Sequence, residues 1–277
     1  VIYEEQILRD GLDGFKALVM PSCDVLPRGV VERIQAWHRR GGILIADANL
    51  CPALTPDIVL RVVRRTKKAA EDKAALQAIV AEFRKEFDAL YVRPAESRNP
   101  DVVVRLRKAG SADYLFAIND TRAFGKYVGH HGLVMEEGMA AKAGLLLRRK
   151  NAVVYELPAR KRIAVKPTAD GVRWDAEFGP GEGKLYLALD RAVGGVRIAA
   201  PDAVKPGAQA VVVVTVHDDK GAPLDAVAPV RIEVTDAQGK PVEFSGAYAA
   251  PKGVARVVFD VARNEPAPIT VASGAWR

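Results

Sequence analysis

Residues 12–50 read LDGFKALVMPSCDVLPRGVVERIQAWHRRGGILIADANL, and this stretch decides the first fold class. Phe15–Met20 is a short apolar run closed by Pro21-Ser22, which suits a buried strand. Pro27 then opens a helix in which Val30, Val31, Ile34 and Trp37 recur at helical spacing, and Gly41-Gly42 ends it. Ile43–Ala46 follows as a second buried strand. Strand, helix and strand joined by short loops predict a right-handed βαβ crossover and therefore a parallel sheet.

Upstream, Val1 reads as the end of a strand, and downstream Gly274–Arg277 follow a strand without a tail, so the chain reads as a piece of something longer. Leu54–Val63 mixes apolar and basic residues and suits a short helix after Pro52 and Pro56. The clearest helix is Ala69–Leu90, where Leu76, Ile79, Val80, Phe83, Phe87 and Leu90 keep a 3.6-residue rhythm opposite Glu82, Arg84, Lys85 and Glu86. That stripe must pack on something.

After Pro94 the texture changes to short β-type runs broken by Gly, Pro, Asn and Asp at sandwich-like spacing. Strands are expected at Val102–Arg107, Tyr114–Asn119, Ala143–Leu147, Val153–Glu156, Arg162–Lys166, Val172–Phe178 and Lys184–Leu189. A second series follows at Val196–Ile198, Ala210–His217, Val230–Thr235, Val242–Tyr248, Gly253–Val261 and Ile269–Ala272, with turns at Asp219-Lys220-Gly221 and Ala237-Gln238-Gly239. The fold class is thus α/β plus all-β: a partial flavodoxin-like parallel sheet, a connecting helix and two β-sandwich modules. The corresponding domains are residues 1–68, 69–100, 101–192 and 193–277.

With 277 residues, 49% of them hydrophobic and 27% charged, the chain has the balance of a folded protein with more than one core. Apolar runs such as Ala208–Val216 fall far short of the ~20 residues of a spanning helix, so no membrane span is expected. The net charge of +7 raises polyanions as partners. Residues 28–108 hold 17 Lys and Arg against 10 Asp and Glu, whereas the rest of the chain holds 24 of each, so the whole surplus lies in the α/β part and its helix. The run Arg61–Lys68 lacks aromatic residues for base stacking, which points away from nucleic acid and toward an interface with an acidic neighbouring domain.

Few residues propose chemistry. Asp24, Asp47 and Asn49 fall at carboxyl ends of parallel strands, where open α/β sheets bind ligands, although turn and capping roles explain them equally well. Trp174, Tyr155 and Tyr186 can form a sugar-stacking platform, or core. Asp113, Asp120, Glu136 and Glu137 are the carboxylates available for a glycosidase pair, which must stand ~5–10 Å apart. Asn119–Arg122 reads as a turn closed by Asp120, and Gly179–Gly183 as a turn without the lysine of a phosphate loop. Adjacent His130 and His131 point to opposite faces of a strand and make no metal site. Cys23 and Cys51 are too few for a disulfide scaffold and lack metal-knuckle spacing; they read as half-buried thiols whose pairing is open. No metal and no cofactor is expected.

Leu12–Leu50, with its strand, P-S-x-x-V-L, helix and GG-x-L-I, resembles the class I glutamine-amidotransferase-like domain of β-galactosidases, where it assists trimerization. An active amidotransferase carries a nucleophilic Cys on a sharp strand-to-helix turn, whereas Asp47-Ala48-Asn49 stands there, with Cys51 late and His38 on a helix. The domain therefore resembles a scaffold without its nucleophile. DYLFAINDTR, YVGHHGLVME, VVYEL and FGPGEGKLYLAL, between Asp113 and Leu189, look like the β-sandwich that follows catalytic domains in large bacterial glycoside-hydrolase-like proteins. VRIEVTDAQGKPVEFSGAY, from Val230 to Tyr248, is similar to bacterial Ig-like or macroglobulin-like modules. The resemblances imply a non-catalytic accessory or assembly region of a carbohydrate-active protein, without activity of its own. Its partner would be the catalytic domain of the parent chain, with carbohydrate and a homo-oligomer as further partners. The alternatives are a polysaccharide-binding module and a glycosidase fragment holding part of an active site. A secreted or periplasmic location is likewise implied.

Overall fold

The computed structural model describes residues 1–61, 66, 68–128, 133–235, 238–261 and 270–273. They form a mixed α/β part and a β-sandwich part, grouped in two compact units: residues 1–93 with 124–136, and residues 94–123 with 137–277.

The first unit begins with α1 (Glu4–Asp10), so the segment after Val1 enters a helix rather than leaving a strand. β1 (Ala17–Met20), α2 (Arg28–Arg39) and β2 (Ile43–Ala46) follow as the periodicity predicts. β1 and β2 pair in parallel from Ala17↔Ile43 to Met20↔Ala46, and β3 (Ile58–Val59) adds a third parallel strand beside Ile45 and Ala46. The helix expected over Leu54–Val63 is replaced at Ile58–Val59 by this strand, because the backbone beside β2 needs a partner. Residues 62 and 63 lie outside the described residues. On one face of the sheet Leu18, Met20, Leu44 and Ala46 meet Val30, Ile34 and Trp37 of α2. The Trp37 indole N–H donates to the Phe15 carbonyl at 3.1 Å, tying the end of α2 to the start of β1.

α3 (Ala69–Leu90) has the predicted bounds. Its stripe is only partly covered: Ile79, Phe83 and Phe87 are half-buried, whereas Leu76, Val80 and Leu90 are 53%, 43% and 53% exposed. Phe83 and Phe87 stack at 5.4 Å, and Phe87 meets Tyr91 at 5.5 Å. Arg61 and Glu82 pair at 2.8 Å.

In chain order the next strands are β4 (Ala95–Ser97), β5 (Val102–Ala109), β6 (Ala112–Asn119), β7 (Arg122–Val128), β8 (Leu133–Gly138), β9 (Ala141–Leu147), β10 (Val153–Glu156), β11 (Lys161–Ile163), β12 (Lys166–Thr168), β13 (Gly171–Phe178) and β14 (Gly183–Leu189). A five-stranded sheet, β11-β10-β14-β6-β5, and a four-stranded sheet, β12-β13-β9-β4, are antiparallel throughout; β7 and β8 pair separately. Leu115, Val154, Tyr186, Leu145 and Trp174 share the core of the first sandwich. The expected strand Arg162–Lys166 is two strands, because the chain passes from one sheet to the other after Ile163. Pro167, which has no N–H to give a ladder, sits in β12 at a sheet edge.

The second series is β15 (Val193–Ala199), β16 (Gln209–Asp218), β17 (Ala228–Thr235), β18 (Gly246–Ala250), β19 (Val254–Asp260) and β20 (Thr270–Ser273). Two three-stranded sheets result, β15-β16-β19 and β18-β17-β20. The expected strand Val242–Tyr248 starts only at Gly246, because the Ser245 hydroxyl bonds both the Val234 N–H and the Val234 carbonyl at 2.9 Å and holds a turn there.

The two sandwiches share a core. Ala112, Tyr155, Leu187 and Leu189 leave the far face of the five-stranded sheet and pack among Val216, Leu224, Ala228 and Val230. An antiparallel sheet usually keeps one face in water; here part of that face is buried by the second sandwich.

Candidate functional site

The strand ends of the first unit are the place where the parallel sheet can present side chains to a ligand. Asp47, just after β2, is buried, and its Oδ2 accepts the Ser22 N–H at 2.9 Å and the Ser22 hydroxyl at 3.3 Å. Its Oδ1 accepts the Asn49 N–H at 2.9 Å. The carboxylate closes the turn after β1, where Ser22 takes a left-handed φ of 52°, onto the turn after β2. Asn49 and Asp24 are exposed nearby in sequence. Asp24 does not cap α2: the N-cap is Pro27 and carries no side-chain cap bond. Ser22, which sequence reasoning did not single out, is the partner that assigns Asp47 a structural task.

His38 is occupied in the same way. Its Nε2 lies 2.9 Å from Asp57 Oδ2, which also accepts the Leu44 N–H at 2.7 Å. Asp57 thereby joins α2, β2 and the approach to β3. A histidine so placed is bound to a carboxylate rather than to a thiol.

The aromatic residues offered for sugar stacking are core. Trp174, Tyr155 and Tyr186 are 5%, 6% and 1% exposed, and Trp174 meets Tyr186 edge-on at 5.2 Å. Trp174 and Tyr186 point into the first sandwich and Tyr155 into the cluster shared with the second, so none of these three offers its face to a sugar. Burial pushes the Tyr186 hydroxyl up to about 12. Tyr155 instead accepts the Val193 N–H at 2.8 Å.

Asp113 and Asp120 do not make a glycosidase pair. Asp113 and Asp120 stand seven residues apart on and just beyond β6, which at ~3.3 Å per residue is roughly 23 Å. Asp113 is buried against Arg149 at 3.0 Å, and Asp120 pairs with Arg122. The turn after β6 is built by Asn119 rather than Asp120: its Oδ1 accepts the Thr121 N–H at 3.0 Å, and its Nδ2 donates to the Met139 and Gly179 carbonyls. Gly179–Gly183 is a turn held by Glu182, whose Oε2 accepts the Gly179 N–H at 2.7 Å. That bond keeps the Glu182 carboxyl below its ordinary range.

A second charged cluster lies where β10 and β14 meet. Lys184 pairs with Glu156 at 3.0 Å and Glu182 at 3.2 Å, with Phe178 beneath its ammonium at 5.8 Å. Burial alone would lower the Lys184 pKa, but Glu156 and Glu182 raise it. Among the described residues no group of three His, Cys, Asp or Glu is arranged to hold a metal ion. No described helix is long and apolar enough to cross a membrane. His130 and His131, and residues 62–65 and 67 of the basic run, lie outside the described residues.

No protein-family model matches the chain, and no curated protein matches it. Solved structures match it in part. α-L-Fucosidase isoenzyme 2 from Paenibacillus thiaminolyticus aligns with a TM-score of 0.47 and 9% identity, over 65% of this chain and 42% of that one. Apo exo-carrageenase GH42 from Bacteroides ovatus aligns with a TM-score of 0.33 and 14% identity, over 66% of this chain and 23% of that one. Both neighbours are glycoside hydrolases. The chain spans less than half the length of either, and likenesses of this size assign neither family nor activity.

Proposed function

We propose that this chain is a non-catalytic accessory and assembly region of a larger carbohydrate-active protein, and that its first unit packs on the catalytic domain of that protein. The observation that carries the reading is the open stripe of α3. Leu76, Val80, Phe83, Phe87 and Leu90 follow intervals of four, three, four and three residues, the spacing of a helix-pairing seam, and three of the five are more than two-fifths exposed. Apolar side chains set in such a row are a surface made for protein. Phe15, Val19, Val25 and Val59 add further exposed apolar side chains in the same unit. Asp47, Asp57, Asp113 and His38, which have the chemistry for catalysis, are engaged in holding the fold. The carbohydrate context rests on the sequence resemblance of residues 12–50 and 113–189. Residues 1–93 thus serve as the docking module, and the sandwich modules 101–192 and 193–277 as a separate framework.

Sedimentation of the full chain with the separately purified catalytic region of its parent protein tests this. Co-sedimentation is expected, and is lost with Leu76→Glu plus Val80→Glu. No binding by the wild-type chain would overturn the reading. So would hydrolysis of aryl glycosides by the chain alone that one carboxylate substitution abolishes.

A further inference from the structure

The two cysteines are 28 positions apart in sequence but adjacent in the fold. The Cys51 N–H donates to the Cys23 carbonyl at 2.8 Å. Residues joined by such a bond have Cα atoms about 5–6 Å apart, inside the window a disulfide spans. Both are half-buried, and both pack against the same apolar cluster of the first unit. The backbone on either side is anchored: Ser22 is tied to Asp47, and the Leu54 N–H returns to the Cys51 carbonyl at 2.9 Å.

From this juxtaposition we propose that Cys23 and Cys51 are a redox modification site, forming a reversible disulfide that clamps the carboxyl ends of β1 and β2. The starting form is the dithiol, with both cysteines free. Oxidation runs by exchange with a small-molecule disulfide such as oxidised glutathione. One cysteine thiolate attacks the glutathione disulfide, forming a mixed disulfide and releasing one reduced glutathione. The second cysteine, as thiolate, then attacks the protein sulfur of that mixed disulfide. The protein disulfide forms, the second glutathione leaves, and the two protons lost by the protein thiols accompany the two glutathione thiolates.

Cys23 suits the second, resolving step of this exchange better than the first attack. Burial, reinforced by Asp47, Asp24 and Glu4, pushes the Cys23 thiol up and keeps it from being a ready thiolate. The bond would close a loop containing α2 and β2, restricting the unfolded chain. It would also lock the strand ends where an open α/β sheet meets its ligands, so any partner engaging that edge would sense the redox state.

The test is to equilibrate the native full chain with oxidised glutathione, quench with acid, and digest with trypsin without reduction. Peptides 17–28 and 41–61 should appear joined and lighter by two hydrogens, with no glutathione retained. Cys23→Ser should instead keep one glutathione on Cys51. Wild-type chain that retains glutathione on both cysteines, or whose thiols both stay free where Cys23→Ser is modified, would overturn the proposal. So would a link that forms only after denaturation.

Discussion

The hydroxyl of Tyr114, on β6, donates to the carbonyl of Val227 at 2.8 Å and accepts the N–H of the same residue at 2.7 Å, 113 positions along the chain. One side chain satisfies both backbone groups of a residue just before β17, as a neighbouring strand would. Beside it the Ser111 N–H donates to the Asp225 carbonyl at 3.0 Å. Together with the shared apolar cluster, these bonds hold the two sandwiches in one compact unit.

Tyr114→Phe is therefore expected to cost about 1 kcal/mol for each hydrogen bond removed. Gly110→Ala should act at the same seam more severely. Gly110 has a left-handed φ of 60°, and an added Cβ would overlap the Asp225 carbonyl. Urea unfolding of the full chain measures both, and an unchanged midpoint for Gly110→Ala would contradict the close approach.

Asp47→Ala leaves the N–H groups of Ser22 and Asn49 without their carboxylate. A loss of about 1–3 kcal/mol is expected in the first unit, with the sandwiches unaffected. Hydrogen exchange of the amides of residues 22 and 49 reads this directly: both should lose protection.

Tyr186 predicts an alkaline weakness. Its folded pKa, raised by burial to about 12, stands above the unfolded value near 10. Its contribution is therefore complete below pH 10 and is lost as pH rises from 10 to 12. Unfolding of wild type and Tyr186→Phe compared across that range should show wild type losing stability relative to the variant only above pH 10.

The two glycines that end α2 should respond differently to alanine. Gly41 has a φ of 92° with open space around a Cβ, so its cost is conformational, about 1 kcal/mol. A Cβ on Gly42 would enter the Trp37 indole, whose N–H also holds Phe15. Gly42→Ala is expected to cost more than Gly41→Ala, and tryptophan fluorescence should shift with it.

Local patterning was legible in the residues alone. β1 and β2 announce themselves as short unbroken apolar runs, and α2, α3 and most sandwich strands by apolar residues that recur every three to four or every two positions, and those signals are local. The charge surplus of residues 28–108 was equally legible, being only a count. Which face each residue meets came from the packing of distant segments. Trp174, Tyr155 and Tyr186 carry the same letters whether they stack on sugar or fill a core, and burial assigned them to cores. The strand at Ile58–Val59 is too short to show a period and exists because β2 offers it a ladder. Ser22 with Asp47, Cys23 with Cys51, and Tyr114 with Val227 are contacts across 25 to 113 positions. Such pairings depend on how the sheets are ordered, and no residue's own chemistry records them.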